Sequence, residues 1–358
     1  MVFIVSTDTA LHITMAEAPE LVMDILSANL VANLLSSPGI GKSNLAEQIA
    51  KKYNLKLIDI RLSFYDPADL NGFPFILDRK AKYVKAGYVP MNIFPIAGDP
   101  LPLDEDGNEM AGWLLLLDEF ASAPLTVQAA AYKLILDKMV GMHHLHKNVA
   151  IITASNLAQD KAFVNRLSTA MQSRLISLQI RVCPKAWGIW ADKAQLDHRV
   201  RSFIKFKPEM LHKFDPNHND LTFPCPRTWE FMSKLVKKIK IIPGSKIPLL
   251  TGTVGEGAGR EFFTYCQIFK SLCTIDQILA DPEYVKFGND PSVHYALSGL
   301  VAHHMNTTNA EDLMKFIMRL GIDFQVITLR AAIAKDHAIK NTKAVNKWII
   351  KNADEMLG

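Results

Sequence analysis

Cysteine is scarce in this 358-residue chain: Cys183, Cys225, Cys266 and Cys273 are scattered, without a Cys-x-x-Cys pair or histidines at metal-ligand spacing. That excludes a zinc module and a disulfide framework, and the four read as reduced thiols of a cytoplasmic protein. Nowhere do the roughly 18 apolar residues needed to cross a bilayer run together. The apolar start, Met1 to Val5, lacks a basic segment and soon meets Asp8 and His12, so it does not read as a signal peptide. Blocks of like charge are missing, and a formal net charge of +4 does not indicate a nucleic-acid partner. Repeats and low-complexity segments are missing as well. What is present is a 49% hydrophobic share, enough for a substantial core in one large or two moderate domains. The expectation is a soluble, folded, cytoplasmic protein with no membrane association.

Along the chain, Val31 to Leu35 reads as a strand, Ser36 to Ser43 as a turn and Asn44 to Tyr53 as a helix. Leu57 to Leu62 follows as a second strand, then a long irregular stretch from Asp66 to Gly112. Within it, Asp104-Glu105-Asp106-Gly107-Asn108 reads as a hairpin tip or exposed loop. Trp113 to Leu117 is an unbroken apolar run, expected as a central strand covered on both faces. Leu125 to Lys138 has helical periodicity, Val149 to Thr153 and Leu175 to Ile180 read as further strands, and Lys161 to Ser173 as a helix. Strands alternating with helices predict a three-layer α/β domain with a parallel sheet over residues 1–182. Residues 183–358 read as a mostly helical domain with a Pro/Gly-rich break near 243–259 and helices resuming at Arg260. Trp187, Trp190 and Trp229 sit at helical spacing as packing residues.

The turn carries the first chemical signal. Phosphate binding needs backbone N–H groups aimed at oxygens, a helix N-terminus behind them and a lysine for the outer phosphates. Ser37, Pro38, Gly39, Ile40, Gly41, Lys42, Ser43 and Asn44 supply such a cradle, with the Ser43 hydroxyl placed for Mg²⁺. Where the pattern usually begins with glycine the chain has Ser36, expected to adopt that turn at some cost. The second signal is the strand ending in Asp118-Glu119: one carboxylate to hold Mg²⁺, directly or through water, the other to polarise an attacking water. The spacing suggests that the two motifs lie on neighbouring strands of one sheet.

Asn156, just after the Val149 to Thr153 strand, is placed to orient water or touch a γ-phosphate, though such an asparagine is also an ordinary turn residue. Arg174 ends the Lys161 to Ser173 helix. It reads either as a trans-acting guanidinium that offsets transition-state charge in a neighbouring subunit, or as a helix C-terminal cap. Pro226-Arg227 opens a later helix, from which Arg227 could reach the nucleotide. His143, His144 and His146 read as a solvated hairpin, since adjacent histidines on a strand point to opposite faces.

In this order the segments resemble an AAA+ ATPase, and more narrowly the MoxR-like clade. Ser36 to Ser43 is similar to Walker A and Leu114 to Glu119 to Walker B, with Asn156 at sensor 1, Arg174 at the arginine finger and Arg227 at sensor 2. Arg61 to Gly72 resembles the segment preceding the clade's helix 2 insert, and Met139 to Asn148 its pre-sensor 1 hairpin. The finger segment has Ser-Arg-Leu where Asp-Arg-Phe is frequent. The likeness runs from about Asn33 to Lys238. It implies ATP and Mg²⁺ as cofactors, a homo-hexamer or similar ring, and a chaperone-like role on a protein client. A von Willebrand factor A domain partner is common in the clade. The alternatives are an AAA+ motor or loader on nucleic acid, a small-molecule phosphotransferase, which has no use for Arg174, and a scaffold that hydrolyses little.

Overall fold

A strand made only of apolar residues must be covered on both faces, and Gly112–Asp118 is buried along all but its last position. Its side chains split by parity. Trp113, Leu115 and Leu117 join a core with Phe120, Val127 and Leu134, whereas Leu114 and Leu116 join another with Val22, Leu45 and Ile49. The chain is seen in a computed structural model that describes residues 12–77, 85–157, 160, 165, 167–217, 220–353 and 355. It divides into two units, Met1–Val182 and Cys183–Gly358.

The first unit holds β1 (His12–Thr14), α1 (Ala18–Ser27), β2 (Val31–Ser36), α2 (Lys42–Lys52), β3 (Leu55–Arg61), α3 (Pro67–Asn71), β4 (Phe73–Ile76), β5 (Ala86–Val89), β6 (Gly112–Asp118), α4 (Leu125–Leu136), β7 (Met139–Val140), β8 (His143–His144), β9 (Val149–Asn156), α5 (Thr169–Gln172) and β10 (Leu175–Arg181). Six strands form one parallel sheet in the order β1-β10-β2-β9-β6-β3, packed with helices into the three-layer α/β P-loop NTPase fold. The strands carrying the two motifs are therefore not neighbours, contrary to the expectation from their spacing. β9 enters between β2 and β6, pairing Ser36 with Asn156 on one side and Leu117 with Thr153 on the other. Motif spacing does not fix strand order, because a crossover can skip a slot that later chain fills. Of the helix expected over Lys161 to Ser173, only Thr169–Gln172 is helical among the described residues, with Ser168 as its extended N-cap and Asn165 and Leu167 outside it; residues 161–164 and 166 lie outside the described residues.

The stretch after β3 is more regular than expected. Asp66 opens α3, its own N–H donating to the Asp69 carboxylate at 2.8 Å, and β4 pairs antiparallel with β5. Asp104 does close a turn, accepting backbone N–H groups of Asp106 and Asn108 at 3.0 and 2.8 Å.

The second unit is helical: α6 (Pro184–Lys193), α7 (His198–Phe206), α8 (Pro226–Val236), α9 (Ile247–Val254), α10 (Glu256–Ser271), α11 (Ile275–Ala280), α12 (Pro291–His304), α13 (Ala310–Ile317), α14 (Ile322–Lys335) and α15 (Lys343–Lys351). The Pro/Gly-rich break is itself mostly helix. Pro248 falls in the first turn of α9, where a missing N–H costs nothing. Gly259 serves close packing: a Cβ there would sit 2.6 Å from the backbone of Thr251. Trp229 is fully buried, its indole N–H donating to the Met210 carbonyl at 2.7 Å. Among the described residues no helix is long and apolar enough to cross a membrane.

Candidate nucleotide site

Parallel strands deliver their carboxyl ends to one edge of a sheet, and the chemistry-bearing residues collect there. β2 ends at Ser36, and the loop that follows turns through Gly39 (φ 77°) and Gly41 (φ 110°) into α2. Gly41 is needed for its backbone, since a Cβ there would meet nothing nearer than Met15 at 3.7 Å. The loop thus presents the N-terminus of an eleven-residue helix, with Lys42 its first residue. Ile40 anchors it in the core, while the Asn44 side chain is exposed and bonded to Gln48 along the helix.

Lys42 is buried. Its ammonium donates to the Ser36 backbone carbonyl at 3.2 Å, the Ser36 hydroxyl at 3.0 Å and the Asn156 side-chain Oδ1 at 2.9 Å. Ser36 is no defect of the motif: it lies within β2, it is not among the residues with positive φ, and its hydroxyl helps hold the lysine. No glycine is required at a strand position that stays extended. Asn156 stands on β9 beside Ser36, and its side chain and the lysine are joined directly.

At the end of β6, Asp118 accepts from the Ser43 hydroxyl at 2.9 Å and from the Glu119 N–H at 2.8 Å. Ser43 and Asp118 thus bring a hydroxyl and a carboxylate oxygen into contact, a hard-oxygen pair that fits Mg²⁺. Glu119 takes a left-handed φ of 58°, unusual for a residue with a side chain, and its carboxylate accepts from the Ser63 hydroxyl. Backbone strain of this kind persists where surrounding contacts over-determine it. Here one contact follows directly, as the Ala121 N–H donates to the Ser155 hydroxyl on β9 at 3.1 Å. Beneath the site, buried Thr153 and Asn33 form a polar chain that reaches exposed Ser177 across β9, β2 and β10, with bonds of 2.9 and 3.2 Å.

The structure therefore joins Lys42, Ser43, Asp118, Glu119 and Asn156 at one sheet edge. Arg174 is exposed, and its guanidinium donates to the Ala170 carbonyl at 2.9 Å, which is the helix-capping contact. Arg227 is exposed on the first turn of α8 in the other unit. Two residues were not legible as site members. Ser63 lies in the turn after β3, inside the Arg61 to Gly72 segment, but was not singled out as a site residue; its position just past a strand beside β6 was a usable signal. Asp59 is the other: partial desolvation first, then the charge of Asp118, raises its carboxyl above the usual range.

No protein-family model matches the chain, and no curated protein matches it. Among solved structures it is similar to a candidate ATPase from Cytophaga hutchinsonii, at 13% identity and a TM-score of 0.34 over 95% of this chain and 88% of that one. It is also similar to a mutant of RuvB from Thermotoga maritima, at 16% identity and a TM-score of 0.37 over 74% of each chain. The fold stands on the sheet order itself rather than on these likenesses.

Proposed function

We propose that the protein is an AAA+ ATPase of MoxR type that hydrolyses ATP with Mg²⁺, assembles as a hexamer or similar ring and remodels a protein client. The observation that carries this reading is the junction of Lys42 with Asn156 and of Ser43 with Asp118 and Glu119 at the carboxyl ends of three adjacent strands. Lys42 and the loop N–H groups would hold the outer phosphates, and Ser43 with Asp118 would hold the metal, which supplies charge neutralisation at the phosphates. Glu119 would take up the proton of an attacking water and Asn156 would orient it. Arg174, which among the described residues bonds a backbone carbonyl, would act on the site of a neighbouring subunit, and Arg227 would sense nucleotide from the helical unit.

The client reading is favoured over a nucleic-acid motor by the β4–β5 hairpin, where Phe73, Phe75, Ile76 and Val89 are exposed apolar surface. Whether a von Willebrand factor A domain protein is the partner is a matter for co-purification. The test of the enzyme is the ATPase rate against protein concentration, for the wild type and for Arg174→Ala mixed with Lys42→Ala. A cooperative rise with concentration, and partial rescue in the mixture, are expected of shared sites. A concentration-independent rate untouched by Arg174→Ala would sink the ring and leave a self-contained phosphotransferase. Strongly salt-dependent binding of single-stranded DNA would favour the motor.

A further inference from the structure

The helical unit contains a second polar site that the nucleotide chemistry does not use. Asp192 on α6 receives Arg201 Nη1 at 2.8 Å and Lys205 Nζ at 3.0 Å, both from α7. One carboxylate thus faces two cations. The neighbours do not restore the balance. Asp197 is matched by Arg199 at 2.8 Å, and His198 is held neutral at ordinary pH because burial pushes its pKa down to about 3. Lys335 adds positive field at His303. A net positive charge taken out of water is costly unless something opposes it.

Two polar atoms beside this cluster also lack partners among the described residues. They are Arg201 Nε, in a residue 5% exposed, and the Ser298 hydroxyl on α12, in a residue 1% exposed. Both residues line one small cavity with Asp192, Ser202, Lys205 and Gly299. The space open to the centre of a water-sized guest is about 10 Å³, room for one atom-sized occupant and too little for phosphate. Lys205, with 22% of its side chain exposed, lines it as well; burial lowers its pKa and the Asp192 carboxylate works against that, so an anion there would help keep it charged. A water would fit the room but leave the charge unopposed.

We propose that this cavity binds a single monovalent anion of chloride size, held by Arg201 Nε and the Ser298 hydroxyl and neutralising the Arg201–Lys205 excess, so that α6, α7 and α12 are tied through one ion. The proposal is independent of the nucleotide site.

The experiment is thermal unfolding of the full chain in chloride, bromide or gluconate at constant ionic strength. Crystals grown in bromide add an anomalous map. The midpoint should rise saturably with either halide by about 2–4 °C, since a ligand of the native state alone stabilises by mass action. One anomalous peak should lie within hydrogen-bond reach of Arg201 Nε and the Ser298 hydroxyl. Ser298→Ala should melt no lower than wild type in gluconate, because it removes an unpaired buried hydroxyl, yet lose most of the halide response. Lys205→Gln should lose that response too. Equal midpoints in all three salts with no anomalous peak would mean a buried water only, and a halide effect unchanged in Ser298→Ala would place the ion elsewhere; either result overturns the proposal.

Discussion

Two charged clusters, one in each unit, are bonded in opposite ways. In the α/β unit, Lys42, Ser43, Asp118, Glu119 and Asn156 gather at the carboxyl ends of the parallel strands, with Lys42 bonded to Ser36 and Asn156, Ser43 to Asp118 and Glu119 to Ser63. In the helical unit, Arg199 meets Asp197 through two nitrogens and also donates to the carbonyls of Val236 and Ile239, at 2.6 and 2.7 Å, closing the C-terminal end of α8. The first arrangement keeps its polar groups available. The second spends every bond on holding helices together. Buried charge alone therefore does not mark a function; what separates the two is whether the partners can be traded at a surface.

The strongest way to break that contrast is Arg199→Met. If the Asp197–Arg199 pair is structural, removing one partner strands a buried carboxylate and should cost about 3–5 kcal/mol, read by denaturant unfolding. The double variant Asp197→Asn with Arg199→Met should cost less than the two single losses added together, because no lone charge remains. A loss below about 1 kcal/mol for Arg199→Met would show that the pair is solvated in solution, like an exposed ion pair.

Glu119→Gln tests the other side. Hydrolysis should fall by about a hundredfold or more while ATP binding persists, since the amide keeps the shape but cannot take a proton. The unfolding midpoint should move little, as the position lies at the sheet edge rather than in the core. A variant that hydrolysed ATP normally would remove Glu119 from the mechanism.

Much of the α/β unit was legible because its signals are local. An apolar run such as Trp113 to Leu117 reads as a covered strand, and Gly39-x-Gly41-Lys42-Ser43 as a tight turn into a helix N-terminus. Strand order was not legible, since β9 takes its slot between β2 and β6 by tertiary packing of side chains 30 or more residues apart. The hairpin β4–β5 was hidden because Phe73–Ile76 has no alternation of apolar and polar residues. In the helical unit, prolines and glycines suggested a break at 243–259, but their meaning depended on the approach of α9 to α10, which no single segment encodes. The Ser63–Glu119 contact was missed for the same reason, joining positions 56 residues apart.

A smaller effect should come from pH. The His198 pKa is lowered to about 3 by burial, so between pH 6.5 and about 3 the unfolded chain binds a proton that the folded chain does not. Stability must then fall as pH falls through that window, by at most about 1.4 kcal/mol per pH unit for one group. Asp197 does not mask this. Burial works against its carboxylate, but the bonds and charge of Arg199 prevail and lower its pKa, so its contribution is lost only further into acid. His198→Gln should flatten the decline in denaturant midpoint between pH 7 and pH 4. An unchanged slope would assign the acid sensitivity to other groups, among which His303 is also lowered by burial.

The smallest change sharpens the comparison within the site itself. Ser63 donates to Glu119 from a turn that carries no other chemistry, so Ser63→Ala removes an orienting bond and leaves every proposed ligand contact in place. One hydrogen bond of this kind contributes about 0.5–1.5 kcal/mol, and the ATPase rate should fall by about twofold to tenfold with nucleotide affinity unchanged. Ser63→Thr keeps the hydroxyl and should restore most of the rate. A merely structural serine would instead lower the unfolding midpoint in both variants without separating rate from affinity. If Ser63→Ala hydrolysed ATP as fast as the wild type, the left-handed Glu119 would be set by its own backbone and by the Ala121–Ser155 bond alone, and the exchangeable contacts of the site would end at Asp118.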